Sequence, residues 1–290
     1  IFSLTLVAQS VFSLIAIAVY LIIGGSLVFL ISLTLGAELF LIVCLFCYQL
    51  SRFGWYRPDF SSLKPVFLFG VPLMPLAFAS LGINWGDRIV MLQYLTISEV
   101  GVYHLVHGVA KMLVQAVTKS FRSFYTSRAV RLYESADFDE LQKLYNLSAG
   151  ILFIFYIPSI IGLLFVAPDL FRVIAPDEFS VGASLLPILF ASYAIDRLCS
   201  YNEQQLIWSH RQGWITVSIF GCLGLNITLN ILFIPQYGLI GAGFASLLAF
   251  VVRYVFIWRM VRKATPIKSN PIYVSKILLC GVSMGVGLSL

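Results

Sequence analysis

Long apolar runs separated by short polar breaks make up almost the whole chain. Most runs are about 20 residues long, which suits helices that cross a hydrocarbon core about 30 Å thick, not the shorter alternating strands of a membrane barrel. The runs predict eight spans and the start of a ninth, at residues 3–23, 27–49, 66–96, 100–122, 144–167, 182–208, 214–234, 238–260 and 272–290. The predicted fold class is therefore all-α and polytopic.

The composition supports a membrane protein. Apolar residues make up 60% of the chain, charged residues 11%, and the mean hydropathy is +0.93. An ordinary soluble domain has about 25% charged residues. The five cysteines all lie in apolar runs, and the single C-x-x-C, Cys44 and Cys47, has neither a second pair nor a nearby histidine. We expect no metal site and no cofactor.

The positions of the basic residues predict the orientation in the membrane. Thirteen of the nineteen lysines and arginines fall at the ends of even-numbered spans or in the loops that follow them, whereas the opposite loops contain mainly acidic residues. Because positively charged loops stay in the cytoplasm, we expect the even-numbered spans to end there. This distribution explains the net charge of +6 without a nucleic-acid partner. The thirteen are Arg52, Arg57, Lys64, Lys119, Arg122, Arg128, Arg131, Lys143, Arg211, Arg259, Arg262, Lys263 and Lys268.

Three loops are long enough to be interpreted individually. Residues 127–143 predict a short amphipathic helix on the cytoplasmic surface, and residues 168–180 predict an outer turn or interfacial helix broken by Pro176. Residues 51–65 form a long polar cytoplasmic break, which we interpret as a linker between two helix bundles. The chain begins without methionine and ends within an apolar run, so we expect it to be part of a longer protein.

A polar stripe marks the fourth span. Its members recur at i, i+3, i+7, i+11 and i+14, which places them on one helical face: His104, His107, Lys111, Gln115 and Thr118. Such a face is costly in lipid and should contact protein or a water-filled cavity. Lys111 lies near the middle of its span and therefore carries the most functional weight. The histidines are either neutral core residues or carriers of a coupled proton.

The third span contains the adjacent charges Asp87 and Arg88 in the predicted outer half of the bilayer, with Pro72 and Pro75 near its start. Neighbouring residues point about 100° apart on a helix, so we expect each charge to meet a group on another helix. Two roles remain open for Asp87 and Arg88, an interhelical ion pair that fixes packing and contact with a substrate.

The later spans carry further polar positions. One face of span six includes Tyr193, Asp196 or Arg197, Ser200, and Glu203 or Gln204. Span seven has Ser218, Cys222, Asn226 and Asn230 at i+4 steps, which predicts either interhelical hydrogen bonds or a cavity lining. Arg253 lies near the inner end of span eight, where we expect it to snorkel toward water.

Buried charges of both signs favour an anionic substrate, because cations can hold phosphates while tyrosine, asparagine and glutamine bond sugar hydroxyls. An oligosaccharide joined to a lipid pyrophosphate fits this description. The candidate cavity residues are Lys111, Arg88, Asp87, Arg197, Asp196, His107, His104, Gln115, Tyr193 and Glu38.

Several short motifs resemble a known family. They are Gly70-Val71-Pro72, Asp87-Arg88, Val100-Gly101-Val102-Tyr103, and PQYGLIGAGFASLLAF at residues 235–250. Over about residues 60–260 the chain is similar to polysaccharide flippases of the Wzx type, within the multidrug/oligosaccharidyl-lipid/polysaccharide exporter superfamily. Lys111 and the histidines match no signature of that family, so their roles depend on the helical-face argument alone.

The resemblance implies a fold of 12 to 14 helices in two bundles around a central cavity. Residues 1–50 would be the last two helices of the N-terminal bundle, 51–65 the linker, 66–260 the C-terminal six-helix bundle, and 261–290 a cytoplasmic loop and the start of an additional helix. It also implies alternating access, which carries an undecaprenyl-pyrophosphate-linked oligosaccharide across the bacterial inner membrane for O-antigen and lipopolysaccharide synthesis. A polysaccharide polymerase and other assembly proteins are the expected partners.

Other functions remain open. A lipid II flippase or a drug/cation antiporter would share the superfamily fold. Four basic residues predicted to be buried disfavour the antiporter, namely Arg88, Lys111, Arg197 and Arg253. A membrane glycosyltransferase, polymerase or ligase acting on the same lipids would usually need a large outer loop, and the largest predicted here has about 14 residues. We expect a transporter and not an enzyme; a scaffold without transport is a further alternative.

Overall fold

A computed structural model describes residues 27–54, 74–174 and 182–264, together with residues 10, 11, 14–20 and 22. All regular secondary structure in these ranges is helical, which confirms the predicted all-α class. The chain divides into two compact units, Ile1–Leu68 and Phe69–Leu290. The assignment of residues to two transporter bundles remains a prediction, and the predicted ninth span lies outside the described residues.

The first unit contains α1, Leu27–Phe53. The second contains five helices in the described residues, and the last of them bends sharply. They are α2 Met74–Tyr94, α3 Ile97–Glu134, α4 Phe138–Ile174, α5 Gly182–Trp208 and α6 Gly213–Ala264. Pro75 lies in the first turn of α2, where a proline is tolerated. Pro72 lies outside the described residues.

Five described helical segments are long and apolar enough to cross a membrane, namely Val28–Arg52, Ile97–Lys119, Phe138–Val173, Gly182–Trp208 and Gly213–Lys263. Large apolar side chains such as Met112, Leu164 and Val173 are exposed on the protein surface, as expected for a surface in contact with lipid. The chain is therefore a multi-pass membrane protein. The described part of α2 is not among the five; Asn84, Asp87 and Arg88 lower its hydropathy.

A capping box begins α3. The sequence Thr96-Ile97-Ser98-Glu99 places a hydroxyl before the first turn and a carboxylate three residues later. The Glu99 backbone N–H donates to Thr96 Oγ1 at 3.3 Å, and the Thr96 backbone N–H donates to Glu99 Oε2 at 2.8 Å. This cap fixes the start of the helix that carries the polar stripe.

The predicted surface helix at residues 127–143 is wrong. These residues belong to the ends of two longer helices, because α3 continues to Glu134 and α4 begins at Phe138. A turn joins them, in which Asp137 Oδ1 accepts from the Glu140 backbone N–H at 3.1 Å. Charged residues with good helix propensity simply continue a membrane helix beyond the bilayer.

Of the two alternatives predicted for residues 168–180, a turn or an interfacial helix, the turn is wrong for residues 168–174, which are helical. Helix α4 continues through Pro158 and Pro168 to Ile174. Prolines are tolerated within membrane helices because neighbouring helices and local adjustments satisfy the freed carbonyl groups. Pro176 lies outside the described residues.

The bend in α6 separates the two spans predicted at 214–234 and 238–260. Gly238 has φ 56° and ψ −135°, a conformation that favours glycine. Asn226 Nδ2 donates to Ser246 Oγ at 3.3 Å across the bend, and Asn230 Nδ2 donates to Asn226 Oδ1 at 3.0 Å. The polar stripe of span seven is therefore buried, and Asn226 makes the hydrogen bond between the two predicted spans, while Asn230 bonds Asn226 within its own span.

Candidate functional site

The first part of the site is a buried carboxylate on α2. Asp87 is 3% exposed and accepts from the Tyr103 hydroxyl of α3 at 2.5 Å. It also accepts from the backbone N–H and from Nη1 of Arg88, at 3.0 and 3.3 Å. The expectation that each of the adjacent charges would meet another helix holds for both, but they also pair with each other. The long arginine side chain bridges the angle between the two positions.

Arg88 joins α2 to the polar stripe of α3. Its Nε donates to His104 Nδ1 at 3.2 Å, and Nη1 also donates to the Asn84 carbonyl oxygen. The guanidinium lies 5.0 Å from the centroid of the Trp85 ring and 5.6 Å from that of Tyr103, which allows cation–π attraction. Arg88 is thus surrounded by partners and 6% exposed, which suits a residue that fixes the packing of the two helices.

The two histidines have different surroundings. His104 is exposed and stacks on Trp85 with ring centroids 5.8 Å apart. His107 is buried, with its ring centroid 5.1 Å from that of Tyr193 on α5 in an edge-to-face arrangement. The stripe therefore contacts α2 at its first position and α5 at its second. A role of either histidine in proton coupling remains a prediction.

Lys111 continues the stripe deeper into the helix. Its Nζ donates to Asn84 Oδ1 at 3.1 Å, and Asn84 Nδ2 in turn donates to the Ser80 carbonyl oxygen at 2.7 Å. Among the described residues, Lys111 forms no ion pair. Its ammonium is therefore held by a neutral group, and no described carboxylate lies within ion-pair distance of it.

A second charged cluster lies on α5 and α6. Asp196 accepts from Arg197 Nη2 at 2.6 Å and from Arg253 Nη1 at 2.5 Å. Arg253 also donates through Nη2 to Glu203 Oε1. Because Arg253 is only 8% exposed, the prediction that it snorkels to water is wrong. Asp196 and Glu203, about two helical turns apart on α5, attract it inward instead.

A cavity of about 310 Å³ connects the two clusters. It is lined on one side by Asn84 and Lys111 and on the other by charged and polar residues of α5 and by Arg253. The described lining residues are Ser80, Ile83, Asn84, Lys111, Arg122, Tyr193, Asp196, Arg197, Ser200, Glu203, Ile219, Phe250 and Arg253. The volume falls within the usual range of small-ligand sites.

A second cavity of about 480 Å³ borders the first, because Arg122 and Arg197 line both. Gln115 and Thr118 of the stripe belong to this second cavity. The C-terminal part of the polar stripe therefore also lines a cavity. Asn84, Tyr103 and Arg122 were not among the predicted site residues.

The i+3 and i+4 spacing of Asn84 to Asp87 and Arg88 is the sequence signal that could have indicated Asn84. Glu38 lies on α1 in the other compact unit and is exposed there. Its predicted place in the cavity remains a prediction.

A family model described as a polysaccharide biosynthesis protein matches residues 1–182 of this chain. The chain belongs to this family. Two relatives of this chain come from Haloferax volcanii and are named "Probable flippase AglR" and "Probable low-salt glycan biosynthesis flippase Agl15". They are 23% and 21% identical over 232 and 203 residues, which are 73% and 69% of this chain. The chain spans somewhat less than half of each relative, 46% and 42%.

Solved transporters have a similar fold. The structure named "Lipid II flippase MurJ, inward closed conformation" gives a TM-score of 0.73 at 16% identity, over 99% of this chain and 60% of that chain. A transporter of the MOP superfamily from Pyrococcus furiosus gives a TM-score of 0.55 at 21% identity, over 74% of this chain and 50% of that chain. The chain therefore has a fold similar to that of these transporters. Together with the family match and the relatives named as flippases, this confirms the resemblance proposed from sequence.

Proposed function

We propose that this protein is a flippase that moves a lipid-linked oligosaccharide across the bacterial inner membrane by alternating access, for surface polysaccharide synthesis. The observation that carries the proposal is Lys111, a cation on a membrane helix that lines a cavity and is held by the neutral Asn84 side chain. Lys111 is half-buried. An ammonium within a membrane helix is costly, so retaining one without an ion-pair partner suits a site whose counter-charge comes from the substrate.

The cavity offers matching groups for both parts of such a substrate. Lys111 and Arg197 would bind the phosphates of an undecaprenyl pyrophosphate, since ammonium and guanidinium groups are the usual phosphate ligands. Tyr193 and Ser200 line the same cavity and would bond sugar hydroxyls. The two relatives named as flippases support the transport of a glycan over the alternative of an enzyme that transfers sugars.

The carboxylate of Asp196 gives the site a means of releasing its ligand. Asp196 already holds Arg197 and Arg253, so an arriving phosphate would compete with it for Arg197. Exchange between an internal carboxylate and a phosphate keeps the guanidinium paired in both states, which lowers the cost of changing conformation. A polysaccharide polymerase that takes up the delivered unit would be a partner in the cell.

A complementation assay in the native host tests the function. In a strain that lacks the protein, the lipid-linked unit should accumulate with its glycan on the cytoplasmic side, and the wild-type protein should restore its delivery. Lys111→Gln should fail to restore delivery at equal protein abundance, whereas Lys143→Gln, which changes an exposed lysine outside the cavity, should restore it. Unchanged delivery in the deletion strain would refute the proposal.

A further inference from the structure

The described lining of the second cavity is cationic. Six of its lining residues come from α3 and the seventh, Arg197, comes from α5: Gln115, Thr118, Lys119, Arg122, Thr126, Ser127 and Arg197. Three of the seven are cations, and no carboxylate is among the described lining residues. A pocket of about 480 Å³ with this lining would bind an anion.

The second cavity lies where α3 leaves the membrane. The apolar segment of α3 ends at Lys119, while Arg122, Thr126 and Ser127 belong to the continuation of the helix beyond it. The basic loops predict that this end faces the cytoplasm. Lys119 is eight residues after Lys111, which at 1.5 Å per residue places them about 12 Å apart along the helix. With this orientation, the second cavity lies on the cytoplasmic side of the cavity that contains Lys111.

The two cations that α3 contributes to the second cavity are available for a ligand. Lys119 and Arg122 are exposed, and among the residues described by the structure neither forms an ion pair. The neighbouring polar groups are ordered, because Gln204 Nε2 of α5 donates to Thr126 Oγ1 at 3.0 Å. The α3 and α5 sides of the second cavity are thus joined by hydrogen bonds, whereas Lys119 and Arg122 keep no ion-pair partner in the described part of the chain.

Arg122 and Arg197 connect the two cavities, since each lines both. An anion held by Lys119 and Arg122 in the second cavity could pass to Lys111 without losing contact with a guanidinium. In the first cavity, which contains Lys111 and is called the inner cavity below, Arg197 donates to Asp196 at 2.6 Å. Arg197 therefore already has an anionic partner in the inner cavity. Stepwise transfer between overlapping cationic sites avoids a desolvated, unpaired phosphate at any stage.

We propose that the second cavity is a separate receiving site for a diphosphate, in which Lys119 and Arg122 bind the anionic part of the substrate before it reaches Lys111. The proposal rests on the proposed flippase function. The ligand chemistry is that of a phosphate ester or diphosphate anchored in the cytoplasmic leaflet. The headgroup of an ordinary anionic phospholipid shares this chemistry, so the test must separate the two sources.

The test measures inorganic pyrophosphate binding by isothermal titration to the purified full-length protein in nanodiscs of phosphatidylcholine. Lys119→Gln and Arg122→Gln should each weaken binding about tenfold or more, as expected when a charge-assisted contact to phosphate is lost. Arg128→Gln, an exposed change on the same helix outside the second cavity, should leave the Kd unchanged. Equal Kd values for Lys119→Gln, Arg122→Gln and Arg128→Gln would overturn the proposal.

A second arm uses nanodiscs that contain phosphatidylglycerol. Binding that depends on Lys119 should persist there, because the site is proposed to select a diphosphate. Loss of pyrophosphate binding in this lipid would assign the second cavity to a structural phospholipid and overturn the proposal. If Lys119→Gln binds pyrophosphate and transports like the wild type while Lys111→Gln abolishes transport, the receiving-site proposal is refuted and the flippase function is not. If the wild type does not transport, the flippase function fails.

Discussion

Arg253 of α6 donates to Asp196 of α5 at 2.5 Å, and the two residues are 57 positions apart in the chain. This contact joins the last described helix to α5, which contributes more described lining residues to the Lys111 cavity than any other helix. The same arginine reaches Glu203 with its other terminal nitrogen. Arg253 therefore pairs with two carboxylates: it shares Asp196 with Arg197, and it is the ion-pair partner of Glu203 among the described residues.

Removing Arg253 should destabilise the protein. Arg253→Ala leaves Asp196 and Glu203 without their shared partner, and breaking a buried ion pair in this way costs about 3–5 kcal/mol. Thermal unfolding in detergent should show a clearly lower Tm. Arg259→Ala, an exposed change one and a half turns later on the same helix, provides the control. Equal Tm values for the two variants would show that the Arg253 contacts do not stabilise the fold.

The Tyr103 hydroxyl should contribute measurably to the packing of α2 against α3. Tyr103→Phe removes the donor to the buried Asp87 carboxylate while it keeps the ring, and hydrogen bonds to charged groups are worth about 1.5–3 kcal/mol. We expect a lower Tm for this variant than for Tyr94→Phe, which removes a hydroxyl from an exposed ring on α2. Equal Tm values for the two variants would show that the Tyr103 hydroxyl does not stabilise the packing of α2 against α3.

Helix periodicity could predict which side chains share a face, but not which helix that face meets. The apolar runs predicted most described helices, and the spacing of His107 and Lys111 placed them toward other protein. The pairing of Arg253 with Asp196 depends on how α5 and α6 pack, which local sequence does not specify. The extension of α3 to Glu134 was missed for a different reason, since a helix need not end at the membrane surface.

Lys111 should be accessible from water, whereas its neighbour Met112 should face lipid. Lys111 lines the inner cavity, and Met112 is 71% exposed on the outer surface of the helix. In a cysteine-free background, a charged, water-soluble thiol reagent should modify Lys111→Cys at least about tenfold faster than Met112→Cys, because the reagent requires an ionised thiol in water. Mass spectrometry of the intact protein gives both rates, and equal rates would contradict the cavity.

Close approach of α5 and α6 depends on Gly243. A β-carbon added at Gly243 would lie 2.6 Å from Leu185 of α5, whereas one added at Gly221 would meet nothing within 4 Å. Both Gly→Ala changes gain helix propensity, but overpacking at Gly243 should cost about 1–3 kcal/mol. Gly243→Ala should therefore lower the Tm and Gly221→Ala should not. The reverse order of Tm values would be inconsistent with this interface.

The most direct test of the flippase function is translocation of a fluorescent polyprenyl-diphosphate oligosaccharide in proteoliposomes that contain the full-length protein. A membrane-impermeant quencher reports how much of the lipid-linked glycan has moved to the inner leaflet. The wild type and Lys143→Gln should move it at the same rate, and Lys111→Gln should slow movement by about tenfold or more, as expected from losing a cation that binds phosphate. Translocation by Lys111→Gln at the wild-type rate would contradict the assignment of Lys111 as the phosphate-binding cation.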